Sequence, residues 1–129
     1  MRRLLVAVML AAALTGCTLS SGNQQPTPDL PRVYFVSPAN NARVIEGSDL
    51  TIDLYAEDDT VGIARIELRL NSTMLSDAAP ANFQTERRFR VEMNWVANGI
   101  GSHVLSAIAY RPDGTPSDET FITVDVVSE

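Results

Sequence analysis

Lysine is absent from the 129 residues, cysteine and histidine occur once each, and aromatic side chains make up only 6%. Each shortage closes off a class of function. Ten arginines are the only basic side chains against sixteen acids, for a net charge of −6. A sticky polybasic surface is therefore missing, and nucleic acid is not an expected partner. The lone Cys17 cannot close an intramolecular disulfide. The lone His103 would have to carry a serine triad or a histidine-based zinc site by itself, and no Gly-x-Ser-x-Gly nucleophile motif accompanies it. By parity His103 shares a face with Leu105, Ala107 and Ala109, which makes it a structural residue at the start of a strand. No enzyme and no cofactor are expected, and the length allows one domain of ordinary size.

The averages hide two unlike segments. Thirteen of the apolar residues lie within the first 17 positions, and no acid precedes Asp29. Met1-Arg2-Arg3, the apolar run Leu4 to Leu14 and the small residues after it have the pattern of a secretory signal peptide. Eleven apolar residues fall short of the roughly 20 that a helix needs to cross a bilayer. The segment ends Leu14-Thr15-Gly16-Cys17, which resembles the lipobox of bacterial lipoprotein precursors. That resemblance implies cleavage after residue 16, acylation of Cys17, and membrane lipid as the partner of the acylated Cys17. The chain would then sit on the extracytoplasmic face of a membrane in a bacterial cell envelope.

Residues 17–31 are polar and hold three prolines, at 26, 28 and 31, so they cannot bury a core and are expected to form a disordered tether. The rest, 32–129, is the expected folded domain. Without the two arginines of the signal peptide, residues 18–129 carry 8 arginines and 16 acids, a charge of −8.

The periodicity of that domain is two. Val33 to Val36 is a short apolar run stopped by Ser37-Pro38. Leu50, Ile52, Leu54 and Ala56 alternate with polar residues, as do Ile66, Leu68 and Leu70, and then Phe89, Val91, Met93 and Trp95. Ser102 to Tyr110 is apolar at nearly every position, and Phe121 to Val127 is rich in β-branched residues. Arg111-Pro112-Asp113-Gly114 between these two runs has turn chemistry. Short strands about ten residues apart, with no convincing amphipathic helix, predict an all-β fold, an antiparallel sandwich of about seven strands. Met74 to Thr85 is the least regular stretch and reads as a loop crossing between sheets.

The order Ser37-Pro38, Glu46-Gly47, Ile52-x-Leu54-x-Ala56-x-Asp58, Gly62-Ile63, Ile66-x-Leu68, Trp95, Gly101-x-His103-x-Leu105-x-Ala107-x-Ala109 and Asp113-Gly114 resembles a bacterial immunoglobulin-like domain. The resemblance runs from Arg32 to Val127. It departs from true immunoglobulin domains in having no cysteine pair and a late tryptophan. It implies an extracytoplasmic sandwich serving as a spacer or interaction module, without a family-wide catalytic site.

Three groups of residues could carry binding. Asp58 and Asp59, ahead of Gly62, are hard oxygen ligands in a loop and a candidate calcium site, although one short cluster supplies too few of the six to eight oxygens required. The plainer reading is a turn in which one of them caps backbone amides. Arg65, Arg69, Arg87, Arg88 and Arg90 could form an anion-gripping patch, or pair with the interleaved Glu67 and Glu92. Tyr34, Tyr55 and Tyr110 could stack on a sugar or pack on the sheet. Asn71-Ser72-Thr73 reads as a turn. Protein–protein contact or envelope structure is the expected function, with a small carbohydrate- or calcium-binding module as the alternative.

Overall fold

The computed structural model describes residues 28–129; the signal peptide, Cys17 and most of the expected tether lie outside the described residues. The described chain is all β, with eight strands: β1 (Arg32–Ser37), β2 (Ala42–Ile45), β3 (Asp49–Glu57), β4 (Arg65–Leu70), β5 (Thr73–Ala78), β6 (Arg88–Val96), β7 (Gly101–Tyr110) and β8 (Thr120–Val127). They form a three-stranded sheet in the order β1-β3-β6 and a five-stranded sheet in the order β2-β8-β7-β4-β5.

The alternating runs explain the two layers. Ile52, Leu54 and Ala56 of β3 are fully buried, as are Ile66 and Leu68 of β4, Leu105 and Ala107 of β7, and Val124 and Val126 of β8. Together with Val33, Met93 and Trp95 they make one core cluster between the sheets. Successive side chains on a strand point to opposite faces, so each run places its polar partners outside.

The structure differs from the sequence reading in three places. Thr73 to Ala78 is a strand, not a crossing loop: it pairs with β4 from Leu70↔Thr73 to Ile66↔Ala78. Asn71 (φ 50°) and Ser72 (φ 70°) take left-handed conformations, and two such central residues make the tight turn that returns β5 onto β4. β5 is an edge strand, and its presence raises the strand count to eight. Secondly, the sandwich is not wholly antiparallel, because β2 runs parallel to β8, with Ala42↔Val124 through Ile45↔Val127. Thirdly, the packed part begins ahead of Arg32, since Pro31 is fully buried and Asp29 bonds to Thr60 and Arg111 of the domain.

Candidate functional site

The chain enters the sandwich at a cluster of charged groups. β3 ends at Glu57, and Asp58 opens the loop to β4. The loop is stitched to the segment before β6 by Asp58 N–H to the Arg87 carbonyl at 2.9 Å and Ile63 N–H to the Glu86 carbonyl at 2.7 Å. Gly62 is needed here: its φ is +150°, and a Cβ would lie 3.2 Å from the Glu86 carbonyl oxygen.

Asp58 is only 2% exposed. Arg111, from the turn after β7, grips it with two donors, Nε to Oδ2 at 2.7 Å and Nη2 to Oδ1 at 3.0 Å. The Gly62 N–H donates to Oδ2 at 3.0 Å and the Thr60 N–H to Oδ1 at 3.2 Å. Burial alone would raise the Asp58 carboxyl; the Arg111 guanidinium and the two amides outweigh it and hold the group well below the usual carboxylate range. Asp29 completes the cluster, lying 3.3 Å from Arg111 Nη2 and accepting from Thr60 Oγ1 at 2.8 Å.

Asp58 and Asp59 therefore do different things. Both oxygens of Asp58 are committed inside the protein, while Asp59 is exposed and pairs with Arg32 Nη2 at 3.0 Å. Among the described residues no three His, Cys, Asp or Glu side chains converge as a metal site would require. The melting temperature is expected to be the same in millimolar calcium as in chelator, because a cation would have to displace Arg111; a rise with calcium would restore the loop as a binding site.

The arginines do not form one patch. Arg65 and Arg69 lie on the outer face of the five-stranded sheet, Arg88 and Arg90 on that of the three-stranded sheet, with the core between them. Arg65 Nη1 and Arg69 Nε bind Glu67 at 2.9 and 2.7 Å within a single strand. Arg65 first of all, and Arg69 with it, hold the Glu67 carboxyl low against its burial. Arg90 chelates Asp53 of β3 through Nε and Nη2 and lowers that carboxyl likewise. Glu92 takes part in no ion pair among the described residues.

The remaining candidates are also engaged. The Arg65 guanidinium sits 3.8 Å from the Tyr110 ring centroid. Tyr34 and Tyr55 stack on each other at 6.4 Å between centroids, leaving Tyr34 43% exposed. His103 has both nitrogens occupied, Nε2 with the Gly99 carbonyl at 2.6 Å and Nδ1 with Asn71 Nδ2 at 2.9 Å, and lies edge-on to Trp95. Its place is structural.

Among the described residues β6 is one of the two outer strands of the three-stranded sheet, and no strand pairs with its far side. Its polar residues give no hint of this, since alternation looks the same in edge and central strands.

Two packed sheets of this topology, with committed polar side chains, define an immunoglobulin-type sandwich module. Residues 31–107 match the bacterial Ig domain family, and the chain belongs to that family. Among solved structures it is similar to the fibronectin(III)-like modules of Clostridium thermocellum CbhA, with 22% identity over 75% of this chain and 98% of that one and a TM-score of 0.62. It is also similar to the CARDB domain of a Pyrococcus furiosus protein, with 11% identity over 79% and 100% of the two chains and a TM-score of 0.57. A third similarity is to the SrpA adhesin of Streptococcus sanguinis, with 13% identity over 81% and 61% and a TM-score of 0.53. At these identities the likeness is one of fold. No curated protein matches the chain.

Proposed function

We propose that this protein is a non-catalytic module, held by acylated Cys17 on the extracytoplasmic face of a bacterial membrane, that makes protein–protein contacts in the cell envelope. The observation that carries the contact reading is the β6 edge, whose outward N–H and C=O groups pair with no strand among the described residues and suit another polypeptide better than a small ligand. The engaged state of Asp58, Arg111 and His103 supports a role without chemistry of its own. Bacterial immunoglobulin-like and fibronectin-like domains are commonly extracellular, which agrees with an exported chain.

Anchoring rests on Leu14-Thr15-Gly16-Cys17 behind its apolar run. Each acyl methylene buried in the bilayer contributes about 0.8 kcal/mol, and stable attachment takes more than one chain. An acidic, lysine-free domain adds no attraction to anionic headgroups, so the acyl chains must hold it alone. Cys17→Ser is expected to move the protein from the membrane fraction to the soluble fraction; full retention of the variant in the membrane would overturn the anchor.

A further inference from the structure

Four strands end the two sheets, and three of them are poor templates for pairing. β1 is interrupted by a register shift between Phe35 and Ser37. β2 has four residues, and β5 has six, with a shift in its pairing to β4. β6 has nine residues and an unbroken register with β3 from Arg88↔Glu57 to Val96↔Asp49. It contains no proline or glycine, and its charged residues Arg88, Arg90 and Glu92 differ in sign. Natural sheets blunt such an edge unless it is used.

The direction of its free groups follows from the bonds at its two ends. The Asp58 N–H donates to the Arg87 carbonyl and the Ala97 N–H to the Ser48 carbonyl, so the odd-numbered residues face β3. The main-chain groups of Arg88, Arg90, Glu92, Asn94 and Val96 therefore point to the open side. All five of these residues are exposed.

We infer that β6 pairs antiparallel with β6 of a second copy of this chain, about a two-fold axis at Val91; this specifies the partner in the contact reading above and rests on that reading. The register is chosen by charge. With Val91 on the axis, Arg90 lies opposite Glu92 of the second copy and Glu92 opposite its Arg90, while Arg88 meets Asn94. An axis at Glu92 would set Glu92 against Glu92, and one at Arg90 would set Arg90 against Arg90; like charges directly opposite are unfavourable. Arg90 spends Nε and Nη2 on Asp53, which leaves Nη1 for the second copy's carboxylate.

The other face agrees. Phe89 and Val91 are inner-face residues left half-buried beside the open edge. In this register Phe89 meets Met93 of the second copy and Val91 meets Val91, so apolar groups cover each other. The two three-stranded sheets become one of six.

The test is disulfide trapping of the full chain in bacterial membranes, with the wild type, whose one thiol is Cys17, as the baseline. Side chains facing each other on the axis of a non-hydrogen-bonded pair have Cβ atoms about 4.5–5.5 Å apart, close to disulfide reach. Val91→Cys is expected to give a linked dimer on mild oxidation and Glu92→Cys to give none. Adding Glu92→Arg to Val91→Cys should reduce the yield roughly tenfold, since Arg90 then faces arginine. Sedimentation equilibrium of the detergent-solubilised chain supplies the second readout, in which Glu92→Arg weakens a wild-type dimer by a similar factor while leaving the melting temperature unchanged at concentrations where both chains are monomeric. A monomeric wild type, linkage through Glu92→Cys instead of Val91→Cys, or indifference to Glu92→Arg overturns the pairing. None of these outcomes touches the anchor, which the Cys17→Ser fractionation reads separately.

Discussion

Arg111→Met is expected to destabilise the fold by about 3–5 kcal/mol, the usual consequence of stranding one member of a buried ion pair. For a domain of this size each kcal/mol corresponds to about 4–8 °C of melting temperature, so the loss is large against a typical total stability. The cause is specific. Asp58 keeps the amides of Gly62 and Thr60 but loses both guanidinium donors while its own carboxylate stays buried. Asp29 loses its ion pair as well, so the segment ahead of β1 loosens together with the loop. Asp58→Leu combined with Arg111→Met should recover part of the loss, because no charge is then left uncompensated. A double variant as unstable as the sum of the two single ones would show that the pair is not coupled in this way.

The same cluster sets a pH dependence. Asp58 is held below its unfolded value of about 3.9. Its ion pair therefore stabilises the fold fully above that value, and the contribution is lost as the pH falls from about 5 through the folded-state range. The wild type should lose stability over that window. Arg111→Met lacks the guanidinium that ionised Asp58 serves, so its deficit relative to the wild type should narrow as the pH drops. A gap constant from neutral pH to pH 3 would place the stabilisation in packing of the arginine stem instead.

Much of this architecture is legible in the order of the amino acids. Ile52, Leu54 and Ala56, Ile66 and Leu68, and Met93 and Trp95 alternate, and they are buried as alternation requires. The immunoglobulin-like order of motifs points to the fold that the chain adopts. The rest is decided at longer range. β5 does not show the period of two because Met74 and Leu75 are adjacent apolar residues and its pairing to β4 shifts between Leu68 and Arg69, so Asn71-Ser72 alone marks its hairpin. Parallel pairing of β2 with β8 leaves no local trace. A shared patch of Arg65 and Arg88 stands beside ion pairing as an alternative because separation along the chain says nothing about which sheet a strand joins. Asp58 is recognisable as an amide cap, but its partner Arg111 lies 53 residues away in a turn whose composition reveals only the turn.

Leu54→Ala tests what holds the two sheets together when no disulfide can. Leu54 lies at the centre of β3, fully buried, with Phe35 on one neighbouring strand and Val91 on the other. Truncating a fully buried leucine typically costs about 2–5 kcal/mol, the upper end applying where the walls cannot collapse. β3 is bonded along both sides, which opposes collapse, so a cost in the upper half is expected. Ile52→Val on the same strand removes one methylene and should cost about 0.5–1.5 kcal/mol. In denaturant both variants should lower the midpoint at constant slope, since the same surface is exposed on unfolding. A loss below about 1 kcal/mol for Leu54→Ala would mean that the sheets are not close-packed there. Reductant should change none of these values: the only thiol is Cys17, so the domain must draw its stability from packing of alternating strands and from the Asp58–Arg111 lock. Val91 stands beside Leu54 on the free edge, so Leu54→Ala should also weaken pairing through β6, whereas Glu92→Arg should weaken pairing and leave the unfolding midpoint of the dissociated chain where it was.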